Sequence, residues 1–350
     1  MKNFGWVAPF ALAWSLACGS TVYELPPDGS PVIGADAHIK TRYEDTLLDI
    51  AHRNSLGYEE ILRANPGVDM WLPGEGTDVV LPGRRILPPG PREGIVLNLP
   101  EHRLYYYPKP KRGHTAEVFT YPVSIGRMDW RSPLGATYVM TKEVNPSWYP
   151  PESIRKEHAA NGDPLPLVVP PGPNNPLGAF KLRLAVGDGT YEIHGTNNPV
   201  AVGLAVTHGC IRMYPEDVAA LFRMVSVGTK VRLLNEPVKI AYVDGELTIE
   251  VHPPVDDQGQ SVPPDLAVLS RHLEQLLSGK IVAIRWDLAR SALKAATGMP
   301  TLVGLESNFD PTAASEPETT NSSQPPRTVR STRSSGIQER PPVEHAQEHP

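Results

Sequence analysis

The chain has 350 residues, 39 of them proline, and a formal charge of −6 from 33 basic and 39 acidic side chains. That length accommodates two or three small domains, and the acidic balance gives no basic face of the kind nucleic-acid binding requires. Only 2 cysteines occur, Cys18 and Cys210, so no disulfide framework organises the fold.

Residues 1–20 read as an export signal. Lys2 supplies a thin positive start, Phe4 to Ala17 is apolar apart from Gly5, Pro9 and Ser15, and small residues follow around Ala17-Cys18-Gly19-Ser20. The run is too short to span a bilayer and has the parts of a cleavable signal peptide. The expected location is therefore the periplasm or cell envelope. Leu16-Ala17-Cys18-Gly19 resembles a lipoprotein box, and processing there would make Cys18 a lipid anchor. Ser15 stands where such boxes carry an apolar residue, so ordinary cleavage nearby is the second route. No later segment is long and apolar enough to cross a membrane.

Residues 21–36, rich in proline and glycine from Pro26 to Pro31, read as a linker. A compact unit is expected over 37–88. Asp45-Thr46 can cap a short helix carrying Leu47, Leu48, Ile50 and Ala51. A second helix is predicted over Tyr58 to Ala64, stopped by Asn65-Pro66-Gly67, and Val79-Val80-Leu81-Pro82 reads as a closing strand. Tyr43, Asp45-Thr46-Leu47, Ile50-Ala51, Ile61-Leu62, Ala64-Asn65-Pro66 and Val80-Leu81-Pro82 together resemble a LysM module. The resemblance implies binding to the glycan of peptidoglycan; a helical spacer without a ligand is the other reading.

Over 93–236 the pattern becomes mostly β. Strands are predicted at Ile95 to Leu99, Leu104 to Tyr107, Val118 to Ile125, Thr137 to Thr141, Tyr191 to His194 and Lys230 to Leu234. One helix begins near Pro215, with Val218, Leu221, Phe222 and Val225 at helical spacing and Glu216-Asp217 in its first turn. A small α+β appendage follows over 237–305. Ile240 to Val243 and Leu247 to Val251 flank Asp244-Gly245, a strong hairpin signal. Leu266, Leu269, Leu273, Leu276 and Leu277 form a helical stripe, and a second helix is expected from Leu288 to Thr297 between Asp287 and Gly298. Residues 306–350 are rich in Pro, Ser, Thr and Glu and are expected to be disordered.

Cys210 is the residue most in need of explanation. Exported proteins usually pair their thiols or avoid them, and this one has no partner in the mature chain. It follows His208-Gly209 and lies 16 positions after His194. Cysteine attacks as the thiolate, with a free pKa of about 8.5, so it needs a base nearby. His194, at the end of a predicted strand and followed by Gly195, can take the proton and return it to an amine. Gly209 allows a tight turn and leaves room for a substrate carbonyl near the Gly209 and Cys210 amides, which can form an oxyanion hole worth roughly 3–4 kcal/mol per donor. Arg212 can bind a carboxylate or fix the loop. An inert buried thiol is the bland alternative.

His194-Gly195-Thr196, then Thr207-His208-Gly209-Cys210-Ile211-Arg212-Met213, then Glu216-Asp217-Val218 resemble the L,D-transpeptidase family with its YkuD-type catalytic domain. Ser124-Ile125-Gly126-Arg127, Ser132-Pro133-Leu134-Gly135, Asn145-Pro146-Ser147-Trp148 and Asn175-Pro176-Leu177-Gly178 extend the resemblance in the same order. Members more often carry serine where Thr207 stands, which keeps the hydroxyl. The resemblance implies a β-sandwich in which Cys210 attacks the diaminopimelate–D-alanine bond of a tetrapeptide stem and His194 is the general base and acid. His208, Gly195, Thr207, Gly209 and Arg212 would support the site, the oxyanion or the substrate. It implies no metal or organic cofactor, and carbapenems as inhibitors. The acceptor is either a second stem, giving a 3→3 cross-link, or a lysine of an outer-membrane lipoprotein.

Three other readings share these residues. Water as acceptor would make the protein an L,D-carboxypeptidase or a lipoprotein-releasing hydrolase. A wall-binding scaffold would grip glycan without turnover. A zinc site would use His194, His208 and Cys210, although their spacing matches no standard pattern.

Overall fold

The computed structural model describes residues 21–126, 134–186, 191–207, 209–253, 266–277 and 280–306. The expected export signal with Cys18, part of the Ser132-Pro133-Leu134-Gly135 motif, His208 and the tail beyond residue 306 lie outside them.

The segment expected to be a linker carries two strands, β1 (Thr21–Glu24) and β2 (Val32–Ile33). β1 pairs with the first half of β8 (Glu117–Gly126), where Val22 and Tyr23 suit an edge strand. The next unit is β3 (Ala37–Lys40), α1 (Leu47–Arg53), α2 (Tyr58–Ala64) and β4 (Asp78–Leu81), with β3 antiparallel to β4. Thr46 caps α1: its hydroxyl accepts from the Asp49 N–H at 3.0 Å, and the Asp49 carboxylate accepts from the Thr46 N–H at 3.3 Å. Asn65 ends α2 and ties it to β4, exchanging hydrogen bonds of 2.9 and 2.7 Å with the backbone of Val80. Leu47, Ile50, Leu56, Ile61 and Val79 form this unit's core.

This unit packs on the larger domain through buried polar contacts. The Glu60 carboxylate meets the guanidinium groups of Arg85 and Arg103, each at 2.5 Å. Tyr58 N–H donates to Val202 O at 2.8 Å, and His52 stacks on Tyr214 with ring centres 4.2 Å apart.

The larger domain contains, in chain order, β5 (Arg85–Ile86), β6 (Gly94–Asn98), β7 (Arg103–Tyr107), β8, β9 (Gly135–Val144), α3 (Glu152–Ala160), β10 (Phe180–Leu184), β11 (Glu192–His194), β12 (Ala205–Thr207), β13 (Ile211–Met213), α4 (Pro215–Met224) and β14 (Lys230–Leu234). Strands run in the order β1-β8-β13-β11-β10-β9-β14-β6-β7, and β7 pairs back to β8. The two long strands make this closure. β8 pairs with β7 through Phe119 to Pro122 and with β13 through Val123 and Ser124. β9 pairs with β14 through Gly135 to Tyr138 and with β10 from Val139 onward. Two β layers therefore share β8 and β9, as the expected sandwich requires. Ile95, Leu97, Leu104, Tyr121, Val123, Leu182, Ile193 and Ile211 fill the space between them, and α4 adds Val218 and Leu221.

The appendage is the hairpin β15 (Val238–Val243) and β16 (Glu246–Val251), then α5 (Leu266–Leu276), β17 (Val282–Ile284), α6 (Trp286–Ala295) and β18 (Thr301–Glu306). Asp244 and Gly245 both have positive φ, 51° and 81°, as a two-residue hairpin turn demands. α6 starts earlier than Asp287 and stops before Gly298. Asp287 accepts from Arg285 at 3.0 and 2.8 Å across the first turn, and Ala296 leaves the helix in the left-handed conformation.

A buried ionic cluster fastens the appendage to the sandwich. The Lys239 ammonium lies 3.0 Å from Glu101 and 2.6 Å from Glu250 and donates to Ile86 O at 2.5 Å. His252 contacts Glu250 at 2.7 Å, and Tyr105 donates to Glu101. Glu101, Glu250 and His252 converge closely enough to hold a metal ion, but the Lys239 ammonium already supplies the cation.

Candidate active site

The site follows from strand alternation. β11 and β13 run parallel, with His194 opposite Arg212, while antiparallel β10 sets Lys181 opposite His194 and Arg183 opposite Glu192. Leu182, Leu184, Ile193, Ile211 and Met213 turn into the core. Lys181, Arg183, Glu192, His194 and Arg212 turn to the other face and line one groove of about 700 Å³.

The opposite wall comes from the excursion between β9 and β10. Trp148, Tyr149, Ile154, Leu165 and Leu177 line it, so the groove has a charged floor and an apolar side. Asn175 holds this wall. Its buried amide donates to Pro146 O at 2.8 Å and Val169 O at 3.3 Å, and its carbonyl accepts from Leu177 N–H at 2.9 Å.

Cys210 lies between β12 and β13. Gly209 has φ of 106°, a conformation that L side chains rarely adopt, and it turns the chain immediately before the thiol. The Thr207 hydroxyl donates to Cys210 O at 2.5 Å and closes the same turn. The Glu192 backbone N–H donates to the Cys210 sulfur, which is partly accessible from the groove. The thiol is thus held against the strand that carries His194. The expected site residues Cys210, His194, Thr207 and Arg212 all line the groove. Gly195 lies behind His194, where an added Cβ would meet Val218 Cγ1 at 3.2 Å and Leu177 O at 3.3 Å. His208 falls outside the described residues.

The buried His194 ring sits with Nδ1 2.7 Å from Gly195 O. A carbonyl only accepts, so Nδ1 carries the proton and Nε2 is left basic. Burial and the Arg212 and Lys181 charges depress the His194 pKa to about 4, against the Gly195 hydrogen bond. Burial and the Glu192 carboxylate push the Cys210 thiol up to about 11, against the Glu192 N–H, Arg212 and Lys181. At neutral pH both groups are uncharged. Forming the thiolate in advance would cost about 5 kcal/mol with a pKa of about 11. The ligand-free site therefore holds a neutral thiol and a neutral imidazole, not a standing thiolate–imidazolium pair. Thiolate absorbance in the ligand-free protein is expected to rise near pH 11 and to be missing in Cys210→Ser. A rise between pH 4 and 5 would reveal the standing pair instead.

Sequence reasoning did not single out Lys181, Arg183 or Glu192. The signal was the alternation of charged and apolar residues in the strand Phe180-Lys181-Leu182-Arg183-Leu184, between Gly178 and Gly187-Asp188-Gly189.

The profile of the YkuD family, the L,D-transpeptidase catalytic domain, matches residues 92–233. Probable L,D-transpeptidase YcfS of Escherichia coli K12 is 40% identical over 261 residues, covering 72% of this chain and 80% of that protein. Probable L,D-transpeptidase ErfK/SrfK of the same organism is 35% identical over 308 residues, covering 86% and 96%. The chain belongs to the L,D-transpeptidase family. A solved L,D-transpeptidase from Mycobacterium smegmatis aligns at 18% identity with a TM-score of 0.31, over 46% of this chain and 74% of that one.

In this L,D-transpeptidase Ser147, Trp148, Pro176, Leu177, His194, Thr207, Cys210 and Arg212 of the motifs line one groove. Asn175-Pro176-Leu177-Gly178 shapes the apolar wall, and Ser124 anchors the segment before β12 by donating to Ala201 O at 2.7 Å.

Proposed function

We propose that the chain transfers acyl groups between peptidoglycan stems through a thioester on Cys210. The observation that carries this reading is the shared groove of the Cys210 thiol and the His194 ring, with His194 Nδ1 tied to Gly195 O and Nε2 left basic. Cys210 Sγ attacks the carbonyl between diaminopimelate and D-alanine, and His194 Nε2 takes the thiol proton. The S–C bond forms, the C–N bond breaks, and the proton passes to the D-alanine amine as it leaves. A second amine then attacks the thioester. Its C–N bond forms, the S–C bond breaks, and His194 carries the amine proton to the departing sulfur. Gly209 and Cys210 amides would hold the oxyanion, and Thr207 keeps their turn closed.

Export, glycan binding by residues 37–88 and a choice of stem or lipoprotein amine as acceptor complete the proposal. Exposed Tyr43 and Trp71 on the small unit offer aromatic surface for a sugar. The test is incubation of the full chain with a disaccharide-tetrapeptide donor and a second stem. D-Alanine and a 3→3 linked dimer should appear together. Tripeptide alone would make the enzyme a hydrolase, and no D-alanine would refute the reading. His194→Ala should slow D-alanine release by roughly a hundredfold to ten-thousandfold, the usual range for a lost general base.

A further inference from the structure

The floor of the groove carries more charge than acyl transfer needs. Cys210 and His194 supply the nucleophile and base of the proposed reaction, yet Lys181, Arg183 and Glu192 occupy the same face beside them. Lys181 and Glu192 are mostly buried, with side chains 14% and 16% exposed, and their charged ends are 3.5 Å apart. Lys181 also lies 2.8 Å from Glu143 on the neighbouring strand β9, whose side chain is 49% exposed. Burial raises the Glu192 pKa against the pull of Lys181. Charged groups are rarely placed half-desolvated on a concave surface unless something there needs them.

We propose that Lys181 and Glu192 form a zwitterion-reading wall that selects the donor stem by the free ammonium and carboxylate at the far end of its third residue. This rests on the thioester reading of Cys210. The Cys210 thiol and the Glu192 side chain line the same groove, and the Glu192 carboxylate is near enough to push the thiol up, so a carbonyl under attack lies within reach of the Glu192 side chain. In diaminopimelate a short methylene chain separates the attacked carbonyl from a second amino-acid head. That head can give its ammonium to Glu192 and its carboxylate to Lys181, with Arg183 next to them on the same face. One weak internal ion pair is then exchanged for two charge-assisted contacts, and no net charge is buried. A lysine side chain brings only the ammonium and leaves Lys181 without a new partner. An amidated diaminopimelate does the same. The apolar opposite wall, with Trp148, Ile154 and Leu177, offers neither head group a competing charge.

The test compares three tetrapeptide donors with the full chain: diaminopimelate, side-chain-amidated diaminopimelate and lysine in the third position. D-Alanine release is followed to obtain kcat and KM. The wild type should show KM about tenfold or more lower for the first donor, the usual worth of one charge-assisted hydrogen bond, with similar kcat. Lys181→Met should raise KM for the diaminopimelate donor to that of the amidated one and leave the other two nearly unchanged. Lys181→Arg should restore the preference, which a merely structural role for Lys181 does not predict. Glu192→Gln should raise KM for all three donors, since each carries the ammonium, while keeping the preference for the free carboxylate. Equal KM for the three donors in the wild type would overturn the inference while leaving the thioester reading intact. So would a Lys181→Met variant that loses kcat equally on all three and keeps its preference. No D-alanine from any donor would instead remove the thioester reading, and this inference with it.

Discussion

Cys210→Ala is expected to lower D-alanine release from a tetrapeptide donor by at least about a thousandfold, with the fold unchanged. The reasoning is local. Among the described residues of the Thr207-to-Arg212 turn the thiol is the group placed to form a covalent intermediate, and the Gly209 and Thr207 contacts of the turn do not involve it. Gly209 sets the backbone and the Thr207 hydroxyl closes it onto a main-chain carbonyl. On the proposed reading, removing Sγ deletes the nucleophile and leaves the base, the groove and the charged floor in place. When a nucleophile acts as a unit with its base, losing it costs about as much as losing both. The double variant Cys210→Ala, His194→Ala should consequently be no slower than Cys210→Ala alone. Steady-state D-alanine release, checked beside a thermal melt for each variant, measures this. Additive losses would mean that the two residues do not serve one step.

Lys239→Met is expected to cost stability rather than chemistry, by about 3–5 kcal/mol near neutral pH, the penalty for stranding buried charge. Lys239 is almost wholly buried between Glu101 and Glu250. Burial alone would raise the Glu101 carboxyl, but Lys239, with His252, brings it down to about 2. A depressed carboxylate contributes stability that is present above its unfolded pKa and is lost as pH falls through its folded value. In the wild type that loss runs from the ordinary carboxylate range down to about 2. Without Lys239 the buried Glu101 carboxylate instead favours protonation, so the variant's deficit should shrink as pH is lowered from 8 to 5. Melting temperature should drop on the order of 10 °C at pH 8, and Lys239→Met with Glu101→Gln and Glu250→Gln should recover part of it. A deficit that grows toward pH 5 would contradict this assignment of the cluster.

Local chemistry made part of this protein legible in advance. Asp45-Thr46 marks the start of α1, Asn65-Pro66-Gly67 the end of α2, and Asp244-Gly245 a tight turn, because each acts on backbone within a few residues of itself. The proposed nucleophile and base were legible for a different reason: a thiol without a partner in the expected mature chain stands beside a histidine and a glycine. What stayed hidden depends on partners distant in the chain. β1 looked like linker because its value lies in covering the edge of β8. α3 buries only Ile154, so its sequence carries no apolar stripe. The closure of two layers through β8 and β9 is invisible until both strands are seen to change partners midway. Glu192 lay in a predicted strand without a role, and Lys181 lay in no predicted element. Only the register of β10 on β11 brings them together on the floor of the groove.

The central claim is that the acyl group rests on Cys210. Intact mass of the full chain, taken during turnover of a disaccharide-tetrapeptide donor and followed by peptide mapping, tests it most directly. The account predicts a mass gain equal to the donor less D-alanine, located on the peptide containing Cys210, labile to hydroxylamine and missing in Cys210→Ala. Steady D-alanine release with no adduct on that peptide, or an adduct that persists in Cys210→Ala, would contradict it.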